Sequence, residues 1–122
     1  MIDLKPMLSQ SNRLRLKKDF ERVFKEGRSF HSDAIGIKTV PNNLNVLRIG
    51  IIVGTKVSKS AVVRNTLKRR IREAVRKELP RLRKGFDLVI ITRPQIKNMD
   101  FQEINEILVF LFKKLRIIKP GC

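Results

Sequence analysis

Residues 60–79 have a helical pattern with two distinct faces, and Pro80 ends it because the residue before a proline disfavours helix. An apolar stripe recurs at helical spacing and comprises Val63, Leu67, Ile71 and Ala74. A separate row repeats every four residues and is entirely basic, with two flanking residues on the helical wheel. We call the six residues the basic ridge: Arg64, Asn65, Lys68, Arg69, Arg72 and Arg76. Such a helix must pack the stripe on a core and leave the ridge outside.

The basic ridge needs an explanation because like charges four residues apart destabilise a helix by roughly 0.2–0.5 kcal/mol per pair. No acidic residue interrupts the row, and Glu73 projects from the opposite side of the helix. A solvated helix face is the simple explanation. The unbroken row instead favours an external anion, and its arginines suit bidentate contacts with phosphate. We therefore predict that this helix binds a polyphosphate backbone.

The charge balance agrees with an anionic partner. The chain has 122 residues, enough for one domain, and carries 28 Lys and Arg against 11 Asp and Glu, a formal net charge of +17. A field of this size favours expansion unless an anion compensates it. Nucleic acid is the first candidate partner and a membrane surface the second. No apolar run reaches the roughly 18–20 residues that span a bilayer, and no signal-peptide pattern is present. Cys122, the only cysteine, has no internal partner, so we expect a reducing, cytoplasmic location.

The first half of the chain predicts a tail, a helix and two strands. Residues 1–11 lack periodicity and are expected to form a flexible N-terminal tail. Residues 17–26 carry apolar side chains at helical spacing and end at Gly27, a candidate C-terminal cap. Segments 34–40 and 46–53 alternate as strands do, and the Pro and Asn cluster between them predicts a hairpin.

The second half adds a strand and a helix. Residues 86–91 are almost all apolar, which is typical of a strand covered on both faces and paired in parallel. Asp100 and Glu103 form a candidate capping box for a helix whose core stripe is Ile104, Ile107, Leu108, Leu111 and Leu115. The predicted fold is an α+β two-layer sandwich of order α-β-β-(β)-α-β-α, with room for one short strand in the hairpin region. Residues 12–116 are predicted to form a single RNA-binding domain, and 117–122 a C-terminal tail.

Strand parity predicts one open sheet face. Ile49, Ile51 and Val53 point to the core side of their strand. The opposite face of the two predicted strands carries two glycines and two basic residues: Gly36, Lys38, Arg48 and Gly50. That combination leaves room for a close, negatively charged ligand.

The aromatic residues of the first helix have two readings. Phe20 and Phe24 lie one turn apart and can anchor the helix in the core, as helical aromatics usually do. They can also border a cleft in which single-stranded RNA stacks on them. We expect at least one of the two in the core. The remaining aromatics are assigned to the core or its margin: Phe30, Phe101, Phe110 and Phe112.

The sequence offers no set of catalytic groups. His31, the only histidine, is placed in a loop, where an exposed histidine is usually just solvated. Acidic residues are scattered, and Glu103 and Glu106 fit a solvated helix face. Metal-binding, phosphate-loop and redox motifs are missing from the sequence. We predict a polypeptide with no catalytic residue, bound metal or cofactor.

Four segments carry a resemblance to a known family. The helix segment Arg-Asn-Thr-Leu-Lys-Arg-Arg-Ile-Arg at 64–72 resembles the Arg- and Asn-rich helix of the bacterial ribonuclease P protein component. Segments 12–27, 47–51 and 85–91 are similar to that family's first helix and to the strands on either side of the basic helix. The resemblance covers about residues 12–116.

The resemblance implies the function of a protein subunit in a ribonucleoprotein endoribonuclease that removes the 5′ leader of precursor tRNA. The RNA subunit, which requires Mg2+, carries out the phosphodiester hydrolysis that leaves a 5′-phosphate. The basic ridge would bind that catalytic RNA, and no membrane or small-molecule substrate is implied. The fold would contain a rare left-handed βαβ crossover. The leader would lie in a cleft formed by Arg13, Lys17, Phe20, Phe24, Lys38, Arg48 and Lys56.

Two positions depart from the family pattern. Thr66 stands where the family usually has Arg, and Lys38 where some members have an aromatic residue. The first removes a phosphate contact and the second a stacking platform.

Other classes remain open at this point. A structural RNA-binding protein of ribosomal type would show the same charge. A helix-turn-helix DNA binder needs two adjacent short helices, which the strand-like flanks disfavour. An autonomous nuclease is disfavoured by the missing acid and base.

Overall fold

The computed structural model describes residues 12–121, so the predicted tail at 1–11 lies outside the described residues. Its helices are α1 (Lys17–Glu26), α2 (Ala61–Glu78) and α3 (Phe101–Lys114), and its strands are β1 (Arg28–His31), β2 (Ile35–Pro41), β3 (Arg48–Ile52) and β4 (Phe86–Thr92). Short 3-10 turns follow α2 and β4 at Leu79–Arg81 and Pro94–Asn98. The α+β class and the order α-β-β-β-α-β-α confirm the prediction.

Strand β4 lies inside the sheet, whose order is β1-β2-β4-β3. It pairs antiparallel with β2 and parallel with β3. The predicted hairpin between β2 and β3 is therefore wrong, because β4 separates the two strands. A local turn cluster could not reveal this, since the competing partner lies beyond α2 in the chain. The predicted parallel pairing of β4 is confirmed, while the handedness of the β3-α2-β4 crossover stays a prediction.

The hairpin of this sheet joins β1 to β2. Ser32 closes its turn: the Ser32 hydroxyl accepts from the backbone N–H groups of Ala34 and Ile35, both at 3.2 Å. The sequence placed the possible extra strand in the region of segments 34–40 and 46–53, whereas β1 precedes β2 in the chain. All four residues of β1 are exposed, so its sequence shows no apolar alternation. His31, predicted in a loop, is the last residue of β1 and pairs with Gly36.

Two helices cover one face of the sheet. The predicted stripes of α2 and α3 pack there, with Leu67, Ile71, Ile104 and Leu108 almost fully buried. Strand residues of the predicted parity meet them, among them Ile35, Ile37, Ile49 and Ile90. Helix α1 packs on the other face, where a smaller core is formed by Leu14, Val23, Val40 and Val89. The basic ridge thus belongs to a helix that lies between β3 and β4 in the chain and packs its apolar stripe on the sheet.

The helix ends follow the predicted signals. The Ser60 side chain caps α2 by accepting from the Val63 N–H at 3.3 Å, and Pro80 lies in the 3-10 turn that ends it. Asp100 and Glu103 form the predicted capping box of α3. Gly27 ends α1, but its φ of −74° is ordinary. A Cβ there would lie 2.5 Å from the Val23 carbonyl, so glycine is needed for close backbone approach.

The end of α3 continues into a segment that packs on the domain. Residues 117–119 were predicted to lie in a tail, yet Ile117 is buried and Ile118 forms an antiparallel bridge with Leu82. None of the helices within residues 12–121 is both long and apolar enough to cross a bilayer.

The four aromatic residues outside α1 differ in burial. Phe112 is fully buried and Phe101 packs at the core margin, as predicted. Phe30 and Phe110 are 44% and 54% exposed, so their assignment to the core or its margin was wrong. Phe30 lies on the exposed edge strand, and Phe110 on the outer side of α3 with the Lys114 ammonium 5.5 Å from its ring centre.

Candidate nucleic-acid interface

The basic ridge runs along α2, whose 18 residues span roughly 27 Å. Asn65, Arg69 and Arg76 are exposed, and the other three ridge residues are half-buried. Arg64 is partly oriented by its own loop, since its Nη1 donates to the Ser58 carbonyl at 2.9 Å. The ridge thus forms a basic surface along α2, and the hydrogen bond to Ser58 orients the side chain of its first residue, Arg64.

The remaining basic residues of α2 serve packing. Arg70 donates to the Met99 carbonyl at 3.2 Å, and the Lys77 ammonium lies 5.8 Å from the ring centre of Phe101. Both contacts face α3, away from the ridge. Thr66 hydrogen-bonds its own helix, with its hydroxyl donating to the Val62 carbonyl at 3.0 Å. The family-pattern departure at 66 therefore leaves the helix intact.

Arg13 and Arg72 bring the two predicted surfaces together. The segment at 12–14 runs beside β3: the Leu14 N–H donates to the Ile49 carbonyl at 3.0 Å. Arg13 and Arg72 line one pocket of about 240 Å³, together with Arg15, Phe20 and Gly50. Burial, followed by the charge of Arg13, lowers the pKa of Arg72 below its ordinary value. Two arginines that share a wall make this pocket electrostatically suited to an anion.

Arg48 is engaged within the protein, in contrast to its predicted place in the cleft. Its Nε donates to Asp87 Oδ1 at 2.8 Å and its Nη2 to Oδ2 at 2.7 Å. A second carboxylate, Asp19 on α1, lies 3.5 Å from Nη1. The hydrogen bond to Asp87 raises the pKa of Arg48. A guanidinium whose three nitrogens face two carboxylates has few N–H donors available for phosphate. We therefore remove Arg48 from the candidate cleft.

Asp87 is the centre of a buried network that sequence reasoning missed. Its side chain is fully buried and accepts from Arg22 and Asn42 as well as Arg48, at 2.9 Å in both cases. Burial raises the pKa of Asp87, but the hydrogen bonds from Arg48, Asn42 and Arg22 outweigh it, so the pKa lies below its ordinary value. A lone acid inside an apolar strand was the available signal, because a buried charge requires partners.

Phe20 fills the space that the sequence had assigned to a ligand. A Cβ placed on Gly50 would overlap the Phe20 ring, so this glycine accommodates the protein's own side chain. Phe20 is half-buried against the smaller core. Phe20 thus covers Gly50 directly, while the pocket that both residues line stays open beside them. Of the two aromatics of α1, Phe20 is the one that packs against the core.

Phe24 lies on the surface of the same helix. It is 41% exposed, and the Lys38 ammonium lies 5.9 Å from its ring centre. An exposed aromatic face with a cation beside it can contact both a base and a phosphate.

A second pocket opens on the sheet face beside α1. It measures about 250 Å³ and is lined by Ser29, Phe30, His31, Gly36, Ile37, Lys38, Ile91 and Arg93. Gly36 and Lys38 thus occupy the open face as predicted. Arg93 was not predicted, although its place directly after β4 was the available signal. Lys17 and Lys56 are exposed and line neither pocket.

Comparison with known proteins places these features in a family. The family model described as Ribonuclease P matches residues 8–116. The chain is 35% identical to the "Ribonuclease P protein component" of a Cyanothece strain, with 92% of this chain and 98% of the relative covered. It is 36% identical to the protein of the same name from Clostridium botulinum, with 88% and 97% covered.

Solved structures agree with the sequence comparison. The Staphylococcus aureus RNase P protein superposes with a TM-score of 0.82 at 28% identity, covering 90% of this chain and 100% of that one. The RNase P protein from Thermotoga maritima gives 0.76 at 37% identity, with 84% and 96% covered. By sequence along most of its length and by fold, the chain belongs to the ribonuclease P protein family.

Proposed function

We propose that this protein is the non-catalytic subunit of ribonuclease P, which binds the catalytic RNA through the basic ridge and the 5′ leader of precursor tRNA through the sheet cleft. The observation that carries the proposal is the shared pocket of Arg13 and Arg72, which joins the ridge to the cleft. An RNA bound along α2 and a substrate strand beside α1 would then be neighbours. The family membership supports this assembly.

The ridge would act through phosphate contacts. Such contacts position an RNA without reading its sequence, and each one releases counterions. Arginine predominates in the ridge and allows bidentate contacts. Arg72, half-buried beside Arg13, would gain from an anion because burial and the charge of Arg13 both lower its pKa.

The cleft would hold the leader without strong sequence preference. Stacking on an aromatic ring contributes about 1–3 kcal/mol per base and tolerates every base. Phe24 supplies the exposed ring and Lys38 the adjacent charge. The proposed leader contacts are Arg13, Lys17, Phe24, Lys38 and Lys56, with Phe20 as the packed support of the helix.

The chemistry would belong to the RNA and its Mg2+. The protein has one histidine, His31, which is exposed at the end of β1. Within residues 12–121, no cluster of His, Cys, Asp and Glu is placed to hold a metal ion. The role left to the polypeptide is to bind and position both RNAs. The cytoplasmic location stays a prediction.

The test removes three ridge charges by replacing Arg64, Lys68 and Arg72 with Ala. Affinity for RNase P RNA is measured over a range of salt concentrations. If each residue contacts one phosphate, the slope of log affinity against log salt falls by roughly two to three. The control replaces three exposed lysines outside α2 with Ala: Lys18, Lys25 and Lys97. An unchanged slope with a native circular-dichroism spectrum, or an equal fall in the control, would contradict the ridge assignment.

Cleavage of precursor tRNA distinguishes the proposed function from that of a structural RNA-binding protein of ribosomal type. Adding the protein to RNase P RNA at low Mg2+ should restore cleavage of precursor tRNA. A ribosomal-type protein would bind RNA and leave cleavage unchanged.

A further inference from the structure

Arg116 breaks a local rule of helix ends. The chain leaves α3 through a Schellman motif: the Ile117 N–H donates to the Phe112 carbonyl and the Arg116 N–H to the Lys113 carbonyl, both at 3.1 Å. This motif places Arg116 at a φ of +60°, where glycine is usual. Asn43 is the other non-glycine residue with positive φ in the described chain, and asparagine tolerates that conformation well. An arginine at this position is retained against backbone preference.

Helix electrostatics do not account for it. A cation near a helix C-terminus is favourable, but the effect falls off within the last turn. Lys113 and Lys114 already occupy that turn. A third cation adds little there and repels the other two. A contact outside the protein is the better reason to keep a charge in a strained position.

The backbone brings further cations beside Arg116. The Arg83 N–H donates to the Ile117 carbonyl at 2.8 Å, and the Lys119 N–H to the Arg81 carbonyl at 2.7 Å, on either side of the Leu82–Ile118 bridge. The two paired segments present four exposed cations, which we call the C-terminal basic cluster: Arg83, Lys84, Arg116 and Lys119.

The acidic residues in the described part of the chain do not neutralise the cluster. Within residues 12–121 none of its four members forms an ion pair. Glu78, the nearby acid on α2, is taken by Arg81 at 2.7 Å. Four cations on backbone-paired segments thus form a positive surface, and no carboxylate of residues 12–121 pairs with any of them.

The cluster connects to the basic ridge. Lys84 and Lys119 line a pocket of about 260 Å³ that Asn12 lines as well. The next residue, Arg13, shares a second pocket with Arg72 of the ridge. Leu79 and Pro80, which directly follow α2, also line the first pocket. The cluster therefore lies close to the C-terminal end of α2 and to the segment at 12–13.

We propose that the C-terminal basic cluster is a second phosphate-binding surface for the RNA that the basic ridge binds. The proposal rests on the function proposed above. Proximity to the ridge favours an RNA backbone as the occupant, because one polyanion can contact both basic surfaces. Arg116 would be kept at its strained position because it contacts a phosphate.

Two variants test the cluster. Arg116→Gly removes the charge and relieves the backbone, so its melting temperature should equal or exceed that of the wild type while its affinity for RNase P RNA falls several-fold. Its salt slope should drop by about one, since each lost phosphate contact removes roughly 0.7–0.9. The triple variant Arg83→Ala, Lys84→Ala, Lys119→Ala should lower the slope by about two to three. Lys18→Ala with Lys25→Ala provides the charge control and should change it little.

The outcomes separate this inference from the proposed function. A wild-type protein that does not bind RNase P RNA would overturn the proposed function itself. Normal wild-type binding, with both cluster variants keeping the wild-type slope, would overturn the cluster alone. A lower melting temperature for Arg116→Gly would overturn the strain argument. A fourth result is that the wild type binds phosphatidylglycerol vesicles and the cluster variants lose that binding while they keep the wild-type affinity for RNA. That result would assign the cluster to a membrane surface and overturn the RNA assignment.

Discussion

Arg48 and Asp87 form a bidentate pair, with Nε–Oδ1 at 2.8 Å and Nη2–Oδ2 at 2.7 Å. The pair joins β3 to β4, and Arg22 extends it to α1. The helix that carries Phe20 and Phe24 is therefore held over the sheet by charge as well as by apolar contact. The position of the proposed leader cleft depends on this network.

Replacing Arg48 with Ala should destabilise the protein by about 3–5 kcal/mol, because it leaves a buried carboxylate short of its main partner. Urea unfolding measures the change. Lys56→Ala, at an exposed loop residue, should stay within about 0.5 kcal/mol of the wild type. A stable Arg48→Ala protein that has lost leader binding would return Arg48 to the cleft.

The stability should depend on pH through Asp87. Its pKa is lower in the folded protein than in the unfolded chain, where a carboxyl of this type titrates near about 3.9. The stabilisation is thus complete above that unfolded value and is lost as the pH falls through the folded value. Asp87→Asn should be less stable than the wild type at pH 7, and the gap should shrink below about pH 4.

Unfolding free energies from pH 3 to pH 7 provide the measurement for both proteins. Asp33→Asn, at an exposed turn residue, is the control and should follow the wild-type curve. A constant gap between wild type and Asp87→Asn over this range would contradict the assignment.

Phe20 and Phe24 should respond differently to truncation. Phe20→Ala opens a gap beside Gly50 in the smaller core and should cost about 3 kcal/mol or somewhat less, given its partial burial. Phe24→Ala should melt like the wild type and lose affinity only for RNA that carries a leader. Thermal melts and affinities for precursor and mature tRNA decide the matter. If Phe24→Ala binds both RNAs as the wild type does, the leader cleft is misplaced.

Gly50→Ala should cost about 1–3 kcal/mol because the added methyl group displaces the Phe20 ring. Gly54→Ala is the matched control, since nothing lies within 4 Å of its new Cβ. In a double-mutant cycle, Gly50→Ala should cost less in the Phe20→Ala background. Additive effects would show that the ring and the glycine do not interact.

The purified protein should not hydrolyse precursor tRNA at any Mg2+ concentration. His31→Ala should support normal cleavage in the complex with the RNA subunit, since the imidazole is exposed and the RNA is expected to carry the chemistry. Cleavage by the protein alone, abolished in that variant, would move the chemistry to the polypeptide.

Local signals in the sequence were sufficient for the helices, and they were insufficient for the strand neighbours. Pro80 and the Asp100–Glu103 box act within one turn, so their effect is readable from a few residues. The partners of β4 depend on contacts across the whole of α2, which no short pattern contains. The same distinction explains Arg48. Strand alternation placed it on the correct face of the sheet, but its partner Asp87 lies 39 residues away in the chain, so the ion pair was not predicted.

β4, one of the two inner strands of the sheet, is also the last of its four strands in chain order. Until it is available, β2 and β3 have no partner for the edges that meet it. Both pairings join distant parts of the chain, and such pairings form slowly because a long loop must close first. The native sheet therefore assembles only after the whole of the basic helix has been synthesised, which makes sheet assembly a late step of folding.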